Sequence, residues 1–307
     1  MPVKENQVSR TAVITAYIRA YHAMQDSPKI FNDSLAYYLL TEEERAFIEQ
    51  HAARFLQLYD PARAASCPDQ ETALAWSMRA MAGPPFILSR ARYTEDNLEQ
   101  AVRQGVRQYV ILGAGMDTFA FRRPEMLEQL QVFEVDHPAT QVSKRRRIKK
   151  LGWRQPTQLH FVPVDFTQEN LRAALTRSPY DPQTKSFFSW LGVTYYLSRQ
   201  AVFATLRTIA DVSPADSMVI FDYLDTDAFV PEKAAKNMQI WLDNVRRAGE
   251  PLKSGYDPST FTAELAPLGL RLHENLSPAD IEERYFQGRT DGYHAREHVH
   301  FTCAVVE

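Results

Sequence analysis

Three short stretches of this chain carry residues that could act together on a ligand. The apolar run Val110-Ile-Leu112 leads into Gly113-Ala114-Gly115-Met-Asp117. Glycines in that spacing let a backbone turn tightly and come close to a bound molecule. A second run, Val132-Phe-Glu-Val135, ends in Asp136, 21 residues after Gly115. A carboxylate at a strand end can accept both hydroxyls of an adenosine ribose, and it can equally start the helix for which Pro138 is a suitable first-turn residue. A third run, Phe161-Val-Pro-Val164, ends in Asp165, 29 residues after Asp136, with Phe166 next to it. That acid can accept a hydrogen bond from an adenine amino group while the phenyl ring flanks the base. A helix N-cap is the alternative role for it.

The third glycine of the dinucleotide fingerprint is missing, because position 118 is Thr. Nicotinamide enzymes have no general need for an acid after the third strand. A glycine turn with acids after strands two and three therefore looks like a methyltransferase that binds S-adenosylmethionine. A nicotinamide-dependent oxidoreductase is the enzyme alternative. A protein that binds the cofactor without transferring methyl is the non-catalytic one.

These residues need elements to hold them. Val13, Tyr17, Ala20 and Met24 form one stripe of an amphipathic helix. Thr41 and Glu44 make a capping-box pair ahead of a helix bearing Phe47, Ile48, Phe55, Leu56 and Tyr59, which stops at Pro61. A third helix is expected over 69–81, ending at Gly83-Pro84-Pro85, and a fourth from Thr94 to Gly105. Beyond residue 92 short apolar runs at 109–112, 132–135, 159–164, 187–190 and 218–221 alternate with helical patterns at 138–151 and 198–212. Such an alternation implies a parallel sheet covered on both faces. The fold expected is α/β, a doubly wound and mostly parallel seven-stranded Rossmann-like sheet. Residues 1–90 form an N-terminal helical cap, 91–307 the cofactor-binding unit, and 225–257 a helical insertion over the sheet's carboxyl edge. The segment 298–306 reads as a final strand with one wetter face.

Several segments resemble the leucine carboxyl methyltransferase family, including its bacterial small-molecule O-methyltransferase branch. They are Arg19-Ala20, Ile30-Phe-Asn-Asp33, Ser89-Arg-Ala-Arg92, the turn Val110-Ile-Leu-Gly-Ala-Gly-Met-Asp-Thr118, Phe133-Glu-Val-Asp136, Pro163-Val-Asp165 and Trp190-Leu-Gly-Val-Thr-Tyr-Tyr-Leu197. The resemblance implies that Arg90 binds the methionine carboxylate of S-adenosylmethionine, a charge-assisted contact of about 1.5–3 kcal/mol. It places the Gly113-Ala114-Gly115 turn on the methionine part, Asp136 on the ribose, and Asp165 with Phe166 on the adenine. Arg19 would close over the same carboxylate. Two departures stand out. Phe119 replaces an Arg common in the family, and Leu191 replaces a Glu that contacts cofactor or active site in relatives. No general-base motif is evident, so no catalytic residue is assigned, and Tyr195 and Tyr196 are the candidate acceptor contacts.

Composition excludes other classes. With 35 basic and 38 acidic residues the formal charge is −3, which gives no reason to expect a nucleic-acid partner. The run Lys144-Arg-Arg-Arg-Ile-Lys-Lys150 reads as a solvated helix face. The longest uncharged stretch, Ser186 to Ser198, has thirteen residues, short of the roughly 20 apolar residues a spanning helix needs. The N-terminus lacks a signal-peptide core. Cys67 and Cys303 are too few for a disulfide framework, and His294, His298 and His300 lack an accompanying acid at ligand spacing, so no metal is expected. A cytoplasmic protein acting on a small molecule is the expectation.

Overall fold

The computed structural model describes residues 9–81, 83–166, 168–247, 249 and 251–307. The chain opens with α1 (Arg10–Gln25), α2 (Glu42–Tyr59), α3 (Pro61–Ser66), α4 (Gln70–Ala80) and α5 (Gly83–Arg103). The Thr41 hydroxyl and Glu44 carboxylate cap α2 reciprocally. Its buried stripe is Ile48, Ala52 and Leu56, whereas Phe47 and Tyr59 stay exposed. Pro61 both follows that helix and opens α3 as its first residue.

Helix α5 corrects the expected break. It runs without interruption through Thr94, whose hydroxyl donates to the Arg90 carbonyl at 2.8 Å. Pro84 and Pro85 lie in its first turn, where an amide would have no helical partner to lose. Its end is the expected one: Gly105 has φ +99°, Val106 N donates to Ala101 O, and Gly105 N donates to Val102 O.

The alternating part then follows as β1 (Gln108–Leu112), α6 (Phe119–Arg122), β2 (Gln131–Asp136), α7 (Pro138–Lys150), β3 (Leu159–Pro163), α8 (Leu171–Thr176), β4 (Ser186–Trp190), α9 (Arg199–Asp211) and β5 (Met218–Leu224). The segment after β5 carries α10 (Lys236–Arg247), and the chain closes with α11 (Phe261–Leu265), β6 (Leu270–Leu276), α12 (Pro278–Tyr285) and β7 (Val299–Val306). The seven strands order as β3-β2-β1-β4-β5-β7-β6, with β7 antiparallel to both neighbours and β1 to β5 parallel.

Alternate residues of β1 face opposite cores. Tyr109 and Ile111 pack with Leu98 of α5 and Ile18 of α1, while Val110 and Leu112 pack with Val202 and Leu206 of α9. All eight residues of β7 are buried, so the expected wetter face does not exist. The reason is position: β7 is paired on both edges and covered on both faces. Strand order reverses between β1 and β4, which is where open α/β sheets bind ligands, beyond the carboxyl ends of the strands. No helix among the described residues is long and apolar enough to cross a membrane.

Candidate functional site

The glycine turn leaves β1 at this reversal. Gly113 (φ +73°) and Gly115 (φ +53°) hold left-handed backbone, and the Gly113 amide continues the ladder by donating to Val135 O at 2.8 Å. A Cβ on Gly113 would sit 3.3 Å from a methyl of Val193, just past β4. Asp136 ends β2 directly beside the turn. Its Oδ2 accepts from the Gly115 amide at 2.5 Å and its Oδ1 from the His137 amide at 2.6 Å. Burial pushes this carboxyl above its ordinary range, and the two amides offset only part of that rise. Val164 N donates to Asp136 O at 2.9 Å, extending the pairing past β3 and delivering Asp165 and Phe166 to the next strand end. Asp165 is half-buried, and the Phe166 ring is 54% exposed. Gly113, Ala114, Gly115, Asp136, Asp165 and Phe166 therefore follow one another along the carboxyl ends of β1, β2 and β3.

Arg90 approaches from α5. It is buried, and its Nη1 donates to Asp222 Oδ2 and to the Tyr195 hydroxyl, each at 3.3 Å. Its guanidinium lies over the Phe86 ring at 4.5 Å from the centroid. Asp222, fully buried on β5, also accepts from the Gly192 amide at 2.7 Å. Burial opposes the guanidinium's charge, but Asp222 beside it more than restores it, so Arg90 stays a cation. Register explains the meeting: Phe221 pairs with Trp190, so Asp222 stands level with Leu191 on the neighbouring strand. A Cβ at Gly192 would fall 2.7 Å from Arg90 Nη2, so only glycine admits this guanidinium there. Asp222 lies outside the residues that the sequence singles out. Its signal is an acid inside the otherwise apolar run Met218-Val-Ile-Phe-Asp222.

Arg19 reaches the turn from α1. Its Nε donates to Asp33 Oδ2 at 2.8 Å and its Nη2 to the Met116 carbonyl at 2.9 Å. Asp33 is 1% exposed and also accepts from the Thr118 hydroxyl at 2.6 Å. Burial would raise this carboxyl, but Arg19 and Arg122 hold it below the ordinary range. Helix α1 thus rests on the turn, with Ala12 so close that a Cβ on Gly115 would lie 2.9 Å from its own.

Leu191 is half-buried beside Gly192. Tyr195 and Tyr196 lie in a 3-10 turn, Thr194–Tyr196, held by the Thr194 hydroxyl donating to Asp222 O at 2.5 Å. The Tyr195 ring is buried against Trp241 of α10, centroids 5.4 Å apart, and Tyr196 tilts against it at 4.9 Å. Phe86, Met238, Trp241 and Val299 line a small cavity of about 30 Å³, with Phe86 one helical turn before Arg90 on α5.

Two features set aside in the sequence take other forms. Lys144, in the basic run, is 1% exposed and pairs with Glu134 of β2 at 2.5 Å, rather than facing solvent. The cause is its place on the side of α7 that packs on the sheet. His298 has a left-handed φ of +70°; its Nδ1 lies 2.9 Å from Asp225 Oδ1 and its Nε2 accepts from Ala235 N. His300 Nε2 is 3.6 Å from the same carboxylate. An acid, delivered at the end of β5, does accompany His298 and His300, and through His298 it ties the entry of β7 to the Ala235 amide. No group of three or more His, Cys, Asp or Glu among the described residues could hold a metal ion.

Comparison with known proteins bears on the whole assembly. The family profile described as leucine carboxyl methyltransferase matches residues 12–210. YktD of Bacillus subtilis, which carries the name of an S-adenosyl-L-methionine-dependent methyltransferase, is 36% identical over 99% of both chains. A similarly named protein of Mycobacterium ulcerans is 29% identical over 68% of this chain and 63% of its own. Among solved structures, a DUF574 family protein of Streptomyces avermitilis matches at TM-score 0.54 and 13% identity, over 78% of this chain and 91% of that one. A Thermobifida fusca protein carrying the name of a methyltransferase matches at 0.52 and 12%, over 78% and 88%. These two likenesses establish the fold.

Proposed function

The chain belongs to the leucine carboxyl methyltransferase family and is an S-adenosylmethionine-dependent methyltransferase, and from that premise we propose that it methylates a carboxylate or hydroxyl oxygen of a small metabolite. The observation that carries the site assignment is the contact between Asp136 and the Gly115 amide, at the strand reversal where the sheet opens.

The residues present suit that cofactor chemically. Asp136 supplies carboxylate oxygens for ribose hydroxyls, and Asp165 with the exposed face of Phe166 supplies an acceptor and a ring for adenine. Arg90 supplies a cation for the methionine carboxylate, held by Asp222 and pressed against Gly192. When bound, S-adenosylmethionine brings a methyl group already activated on sulfonium. The protein's part is then to orient an acceptor oxygen in line with it, and such positioning can supply roughly 7–11 kcal/mol of the barrier. A carboxylate acceptor needs no base, whereas a hydroxyl needs one or must be acidic. The aromatic wall of Phe86, Tyr195 and Trp241, next to Arg90, favours an acceptor with a flat or apolar body.

The test is a pair of measurements on the full chain. S-adenosylhomocysteine should raise the melting temperature while NAD leaves it unchanged. Labelled methyl from the cofactor should appear in an oxygen ester or ether of a metabolite extract fraction. A melting shift with NAD instead would sink the reading.

A further inference from the structure

A second cavity, open to solvent on one side, lies among the N-terminal helices, away from the strand ends, and has a volume of about 320 Å³. That is at the lower end of the volumes that hold small ligands, roughly 300–1,000 Å³. Its floor is Tyr17, Ala20 and Leu74, which are buried. Its walls are Tyr21, Tyr37 and Glu49, which are half-buried, and its rim carries Glu71.

The chemistry of these groups is one-sided. Among the described residues three phenol rings and two carboxylates line the cavity, and no Lys, Arg or His does. The Tyr17 hydroxyl donates to Glu49 Oε1 at 3.0 Å, fixing ring and acid together, and Tyr17 and Tyr21 stack with centroids 6.2 Å apart. The neighbouring guanidiniums are spoken for: Arg79 pairs with Asp26 at 3.4 Å, and Arg45 donates to the Tyr37 and Leu40 carbonyls. Arg45 also lies 4.2 Å from the Tyr37 ring centroid, so one face of this ring is taken and Tyr37 can offer a ligand only its other face or its edge. Electron-rich ring faces beside carboxylates attract organic ammonium groups.

The geometry points to a binding site for an organic ammonium ion with a small apolar body, formed by Tyr17, Tyr21, Tyr37, Glu49 and Glu71. The site stands independently of the methyl-transfer reading. It borders α1, the helix whose Ala12 and Arg19 touch the glycine turn, so an occupant would bear on that turn through the helix.

Calorimetry on the full chain tests it with choline, tetramethylammonium and phenethylammonium, and with 3,3-dimethylbutan-1-ol as the neutral isostere of choline. At least one cation should bind saturably, with a dissociation constant of about millimolar or tighter, and the neutral isostere at least tenfold more weakly. Combining Glu49→Gln with Glu71→Gln, or making Tyr21→Leu, should weaken the cation tenfold or more while the S-adenosylhomocysteine melting shift persists as a fold control. The proposal is overturned if no cation binds, if the neutral isostere binds equally, or if folded variants keep wild-type affinity. Should a variant lose its cooperative melt, the comparison of cation with isostere on the wild-type chain decides alone.

Discussion

Arg90 of α5 and Asp222 of β5 form a buried ion pair, Nη1 to Oδ2 3.3 Å, and the Gly192 amide holds the other carboxylate oxygen at 2.7 Å. The aspartate thereby fixes a cation at the edge of the strand reversal. Asp222→Ala leaves the guanidinium buried without its partner, a loss of about 3–5 kcal/mol. Replacing both residues, by Arg90→Met with Asp222→Leu, should recover much of that stability yet bind S-adenosylhomocysteine at least tenfold more weakly than wild type. Urea unfolding and calorimetry read the two effects separately.

Asp136→Ala removes the carboxylate beside the Gly115 amide. Affinity for S-adenosylhomocysteine should fall tenfold or more, since about 1.4 kcal/mol is one decade. Unchanged affinity in a folded variant would exclude Asp136 from the cofactor site.

Gly115→Ala meets two obstacles, a left-handed backbone and the Ala12 methyl 2.9 Å away. The backbone alone costs about 1–2 kcal/mol for a residue with a Cβ. Adding Ala12→Gly should relieve the contact and return part of the lost stability, a coupling that a double-mutant cycle on melting curves would measure. Strict additivity would mean that helix α1 does not rest on this turn.

Glu134 provides a pH signature. Burial lifts its carboxyl from the ordinary 4.5 to about 7, against the pull of Lys144. Between those two values the unfolded chain has released this proton and the folded chain still holds it. Its contribution to stability therefore falls as pH rises from about 4.5 to about 7. Subtracting the unfolding free energies of Glu134→Gln from those of wild type across that range should give a difference that shrinks with rising pH. A flat difference would contradict the raised value.

The gathering of the glycine pair and two acids at successive strand ends is legible because each part is local: a glycine pair after one apolar run, an acid after each of the next two. The sheet was legible for the same reason, from near-continuous apolar runs. What escaped depends on register and distant pairing. Asp222 meets Arg90 across 132 residues of chain, and only the alignment of β5 with β4 brings it level with Leu191. Asp225 reaches His298 in the same way, across 73 residues. Lys144 sat in a run whose charge suggested water, yet the helical period turned that one residue inward to Glu134. Pro84 and Pro85 suit a helix stop and a helix first turn alike, and only the unbroken course of α5 through Thr94 decides between them.

Helix α5 has a consequence for anyone recombining members of this family. Phe86 and Arg90 hang four residues apart from one rod without a joint, the first on the aromatic wall and the second at the glycine of position 192. A chimera that grafts a foreign cap must cut ahead of Gly83 or import both side chains together. On the reading proposed here, acceptor preference and donor anchorage are inherited as a single block.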